Sequence, residues 1–210
     1  MTGVRPSGRC FVVGGHSRSV GKTALVVALV RAVGPRPVAT VKVSAHRHGG
    51  GQFAIEEDDT PSLATSTGRC LAAGAARAFL CRCPDGHLHE VATLVRVLSS
   101  GGYDVVVGSN RMAPLVAADL TMFVASSETP DWKISSELCL ARADALVLAP
   151  GSVVSPRVRH TVEMHRSGLV PVLRFDATWS IPGLSRWIDF KTPVGGRVSV
   201  PRQMPVPPRP

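Results

Sequence analysis

Aromatic side chains are scarce, 5% of the 210 residues, and the arginines are scattered without a basic helix or a ladder of stacking rings. A dedicated nucleic-acid module would need one or the other, so nucleic acid is an unlikely partner. Long apolar runs are also missing. The longest, residues 24–30, stops at Arg31, well short of the roughly 20 residues that a membrane helix requires, and no membrane partner is expected. Acids are outnumbered, 15 Asp and Glu against 24 Lys and Arg, and the resulting charge of +9 would attract polyphosphate ligands, nucleic acid or acidic lipid without choosing among them. Five cysteines, an odd number behind a polar stretch at residues 1–9, read as reduced thiols rather than a disulfide framework. With no export signal recognised, the expected location is the cytoplasm.

What is present is an alternation of β and α patterns long enough for one sizeable core, since 44% of the residues are hydrophobic. Strand patterns fall at residues 10–13, 37–43, 76–83, 103–107, 119–125, 144–149 and 170–175, and helical patterns at 22–33, 67–75, 88–98, 132–142, 155–167 and 184–190. The β-branched runs suit parallel strands buried on both faces. The expected fold is therefore a three-layer α/β/α P-loop domain over residues 1–192 with a mostly parallel sheet. The Pro-rich stretch 193–210 reads as a disordered or loosely docked tail.

The chemistry is concentrated where the first strand ends. Val12-Val13-Gly14-Gly15-His16-Ser17-Arg18-Ser19-Val20-Gly21-Lys22-Thr23 runs from a buried strand through a glycine-rich loop into a helix. In such a loop the backbone N–H groups point at phosphate oxygens, the lysine reaches the terminal phosphates and the Thr hydroxyl can hold Mg²⁺. Gly15, His16, Ser17, Arg18, Ser19, Val20, Gly21, Lys22 and Thr23 are thus candidates for binding nucleotide, with Thr23 the candidate metal contact. Five residues separate Gly15 from Gly21, one more than the common spacing, and His16 takes the position of the usual first glycine. An ordinary strand-to-helix turn is the plainer alternative.

Three stretches carry a resemblance: the loop Gly15 to Thr23, the strand Val38-Ala39-Thr40-Val41-Lys42 followed by His46 and His48, and the segment Arg69-Cys70-Leu71-Ala72-Ala73-Gly74-Ala75. Together they resemble the molybdopterin-guanine dinucleotide biosynthesis protein B family, GTP-binding P-loop proteins of the molybdenum cofactor pathway. The resemblance implies GTP with Mg²⁺ as cofactor, a partner protein of cofactor biosynthesis, and Lys42, His46 and His48 facing the second ligand or partner; a homodimer is compatible with it. The longer loop spacing is similar to dethiobiotin synthetase and the cobyrinic acid amide synthases, which implies ATP and a carboxylate-activating ligase instead. A partner-binding module that keeps the loop shape without nucleotide is a third alternative. Both families carry an acid after the strand that matches residues 103–107, where this chain has Gly108, and family B commonly has an aspartate where this chain has Ser66. Weak or absent hydrolysis is therefore expected, because hydrolysis needs a well-held Mg²⁺ and a positioned water.

Other clusters have plainer explanations. Asp104 lies at the entry end of its strand, about 13 Å from Gly108, and reads as a strand-entry residue. Glu56-Glu57-Asp58-Asp59 reads as a solvated loop with helix-start charges, with a Mg²⁺ or switch element as the alternative. Cys81, Cys83, His87 and His89 could bind zinc, but Pro84-Asp85-Gly86 looks like an ordinary turn between a strand end and a helix start. Trp132 and Lys133 read as helix-start packing and surface charge.

Overall fold

A computed structural model describes residues 7–44, 53–127, 132–165 and 168–193. The expected histidines His46 and His48, and residues 194–210 of the expected tail, lie outside these described residues.

The first strand, β1 (Cys10–Gly15), is buried along its whole length, as the CFVVGG run demands. It is flanked on one side by β5 (Asp104–Gly108) and on the other by β6 (Leu120–Ala125), both parallel to it. Beyond β5 come β2 (Val38–Ser44), β4 (Arg77–Arg82) and the edge strand β3 (Ala54–Asp58); beyond β6 come β7 (Ala145–Leu148) and β8 (Val172–Arg174). Seven of these strands run parallel and β3 alone is antiparallel.

Alternation along the strands divides the core into two layers, as a period of two requires. Phe11 and Val13 of β1, with Val106, Met122 and Val147, pack under α1 (Lys22–Ala32), α2 (Ser66–Ala72) and α6 (Leu184–Lys191). Cys10 and Val12, with Val105, Val107, Phe123 and Leu146, pack under α3 (Leu88–Ser100), α4 (Ile134–Leu140) and α5 (Pro156–His165). Helices thus cover both faces of the sheet, and the fold is the expected three-layer α/β/α arrangement.

The acidic stretch corrects one expectation. Residues 54–58 are not a solvated loop but the edge strand β3, paired to β4. Its acids meet arginines across the strand pair: both Glu57 carboxylate oxygens accept from Arg77 at 2.7 Å, and Glu56 accepts from Arg82. Opposite charges placed cross-strand favour pairing, and charges along an exposed edge discourage pairing with another chain. Acidic composition concealed the strand because its pairing partner lies about twenty residues later in the sequence.

Asp104, by contrast, is the strand-entry residue expected. Fully buried, its carboxylate accepts from Arg9 Nε at 3.1 Å, Arg9 Nη2 at 2.7 Å and the Arg9 backbone N–H at 2.7 Å. This pair ties the start of β1 to the start of β5.

Candidate functional site

In a doubly wound sheet, ligands settle at the carboxyl ends of the strands where the strand order reverses. Here the connection after β1 leads toward β2, whereas the one after β6 leads the other way, to β7, so that crevice opens beside the end of β1. The Gly15–Thr23 loop is built there.

Its entry is held by a side chain from the neighbouring strand. Val13 pairs with Gly108, so the residue opposite Gly15 is Asn110, two positions after β5 has ended. The Asn110 amide continues the ladder in place of a backbone: Oδ1 accepts from the Gly15 N–H at 2.8 Å and Nδ2 donates to the Gly15 carbonyl at 2.9 Å. Nδ2 also donates to Ser136 Oγ at 3.0 Å, at the start of α4. Sequence reading missed both residues, since their significance lies in the register between strands.

His16 follows, almost completely buried, with its ring against Trp132 at 6.1 Å between centroids and 15° between planes. The Ser126 backbone N–H donates to His16 Nε2 at 3.0 Å. A backbone N–H can only donate, so Nε2 is the acceptor, and the proton of the neutral ring sits on Nδ1. That Nδ1 is buried and has no partner, and the same is true of the indole nitrogen of Trp132. Burial, with Lys22 nearby, holds the His16 pKa below its ordinary value.

The loop closes through Gly21, at φ 110°, a conformation that favours glycine. A Cβ there would lie 2.5 Å from the Trp179 ring, so a second constraint comes from the segment after β8. Trp179 itself stands at φ 58°, held by an Asp176 turn in which Oδ1 accepts from the N–H groups of Thr178 and Ser180. α1 then begins without an acid in its first turn and without a side-chain cap, leaving its first N–H groups and the positive end of its dipole facing the loop.

Lys22 lies at this point, with Lys42 and Lys133 within electrostatic reach. Lys22 Nζ donates to the Ser17 carbonyl within the loop. Burial lowers the Lys22 pKa, and the positive charges of Lys133 and Lys42 lower it further. Burial pushes the Cys139 thiol up to about 12. Lys42, exposed along its length, has a partly desolvated ammonium whose pKa is lowered by that desolvation, raised by Cys70 and lowered by Arg69. Among the described residues none of these lysines is ion-paired to a carboxylate. Sequence reading took Lys133 as surface charge; the fold brings it within electrostatic reach of Lys22.

Ser66 sits between two of the candidates. It accepts from Lys42 Nζ at 2.7 Å and lies 3.4 Å from Thr23 Oγ1. Its place is set by the cap of α2, where Thr65 Oγ1 accepts from the Gly68 N–H at 2.9 Å and Thr67 Oγ1 donates to Asp58 at 2.8 Å. Asp58 thus anchors α2, its carboxylate serving Thr60, Thr65 and Thr67.

The remaining candidates separate. Cys81 and Cys83 are buried thiols in the layer under α3, and burial pushes Cys81 up to about 12. His87 turns outward to stack on Phe53 and meet Glu90 at 3.1 Å. Among the described residues no group of three or more His, Cys, Asp or Glu could hold a metal ion. A groove of about 480 Å³ lies along the C-terminal half of α1, between Arg31 and Arg186, and meets the surroundings of the Gly15–Thr23 loop at Trp179. No helix among the described residues is long and apolar enough to cross a membrane.

Comparison with known proteins leaves the chain on its own: no family model matches it, and no curated protein does.

Proposed function

We propose that this chain is a nucleotide-binding accessory protein, taking GTP, in molybdenum cofactor (molybdopterin-guanine dinucleotide) biosynthesis, with weak or absent hydrolysis. The observation that supports nucleotide binding is a glycine loop at the carboxyl end of β1 that opens into an uncapped helix start carrying Lys22, with the Lys42 ammonium bonded to Ser66 beside Thr23. Like charges held together repel, and an anion with several negative oxygens relieves that repulsion. The loop from Gly15 to Gly21 would offer its N–H groups to the phosphates, Lys22 would neutralise the terminal one, and Lys42 would reach it from β2. Guanine and the cofactor pathway rest on the resemblance of the loop, the Lys42 strand and the Arg69 helix to the protein B family. So does a protein partner from that pathway, whereas a cytoplasmic location rests on the polar residues 1–9 and the five cysteines read as reduced thiols.

The ligase reading, an ATP-dependent carboxylate-activating enzyme, is favoured by the Gly15-to-Gly21 spacing and disfavoured by Gly108, which stands where its acid would be. A thermal-shift panel with GTP and ATP, on wild type and Lys22→Ala, separates the readings. Stabilisation by GTP that Lys22→Ala abolishes supports the proposal. Preference for ATP supports the ligase, and no shift with either nucleotide supports a partner-binding module with a vestigial loop.

A further inference from the structure

A polyphosphate bound by a Gly-Lys-Thr loop is ordinarily accompanied by Mg²⁺, an ion that takes oxygen ligands in near-ideal octahedral geometry. Thr23 supplies one hydroxyl oxygen, and the residues around it do not fit the rest of that shell. The next oxygen, Ser66 Oγ at 3.4 Å, is already bound to the ammonium of Lys42 at 2.7 Å. A line of two hydroxyls leading away from Thr23 therefore ends in a positive charge.

The strand register places that charge independently. Lys42 is the β2 residue directly beside Gly108 of β5, and adjacent partners in a parallel sheet carry their side chains on the same face. A Cβ on Gly108 would meet Val26 of α1 at 3.6 Å, in the turn that follows Thr23, so this face looks onto the start of α1. Space for a side chain exists at 108, but glycine supplies no oxygen there. The acid that contacts α2, Asp58, is spent on Thr60, Thr65 and Thr67.

We infer that the Lys42 ammonium, seated on Ser66 beside Thr23, takes the place of the divalent cation, so that nucleotide phosphates bind here without Mg²⁺. This rests on the nucleotide reading above and makes it more specific. An ammonium brings a charge of one and three N–H donors, of which one is held by Ser66 and two remain to contact phosphate oxygens directly. With Lys22 and Lys133 it supplies the positive charge that would otherwise come partly from the metal. A site of this kind grips phosphate independently of the metal supply, whereas a metal-dependent site releases it when Mg²⁺ is chelated.

The test is calorimetric titration of the full chain with GTP and with ATP, each in excess EDTA and in excess Mg²⁺. Wild-type affinity is expected to differ by less than about threefold between the two buffers. Lys42→Met, at an exposed position, should weaken binding in EDTA by about tenfold or more. Lys42→Met combined with Ser66→Asp, which sets a carboxylate beside Thr23, should bind better with Mg²⁺ than without. Wild-type binding confined to the Mg²⁺ buffer, or binding in EDTA that Lys42→Met leaves unchanged, would overturn the inference. Failure of the nucleotide reading looks different: no heat in either buffer from protein that still melts cooperatively, which removes both.

Discussion

Asn110→Ala is the sharpest test of how the Gly15–Thr23 loop is held. The wild-type amide satisfies the N–H and the carbonyl of Gly15, both at the buried end of β1, and adds a bond to Ser136. Alanine removes all three and leaves two buried backbone groups beyond the last pair of the β1–β5 ladder. An unsatisfied buried group costs about 1–3 kcal/mol, so with partial relaxation the loss of stability should be about 2–4 kcal/mol. Ser136→Ala is the control. It removes the bond that Ser136 Oγ accepts from Asn110 Nδ2 at 3.0 Å and two carbonyl contacts at 3.5 Å, but Nδ2 keeps its bond to the Gly15 carbonyl and no backbone group is orphaned, so it should cost about 1 kcal/mol. The assay is equilibrium urea denaturation of both variants, read as a change in midpoint at constant slope. The first variant should also bind nucleotide more weakly, because the loop loses its fixed point of departure. A loss below about 1 kcal/mol for Asn110→Ala, or equal losses for the two variants, would show that the amide does not carry the ladder.

Two further outcomes follow from groups at opposite ends of the sheet. Asp104→Asn leaves Arg9 buried beside a neutral partner and should cost about 3–5 kcal/mol in chemical denaturation, while nucleotide affinity stays unchanged because the pair lies at the strand entry; reduced affinity at full stability would contradict that placement. His16 has a folded pKa below its unfolded value of 6.5, so the unfolded chain takes up its proton first as pH falls. Its stabilising contribution is complete above the unfolded pKa and is lost downward from about pH 6.5 toward the lowered folded value. Urea midpoints of wild type and His16→Gln, measured from about pH 7.5 down to about pH 5, should converge as the pH falls; a constant difference would refute the assignment.

Much of the architecture was legible because its signals are local. β-branched runs such as VATVKV, punctuated by glycine and proline, mark strands wherever the chain later places them, and the expected order of elements matches the fold apart from β3. That strand was hidden because Glu56 and Glu57 become favourable only diagonally across from Arg82 and Arg77, a pairing that requires the sheet to exist. The site divides in the same way. Gly21, Lys22 and Thr23 can be read directly, since a strand, a tight turn and a helix start follow one another in the chain.

The partners of that loop cannot be read so. Asn110 matters through a register of strands ninety-five residues apart, His16 through a Ser126 amide, and Ser66 through the cap that turns it toward Thr23 and Lys42. By itself the sequence determined where a phosphate loop could form and which layered fold would carry it, because backbone conformation and hydrophobic periodicity act over a few residues. The tertiary structure decided what surrounds the loop. Charge and hydrogen bonding act through space, and only the packed sheet sets the Lys42 ammonium on Ser66, beside Thr23.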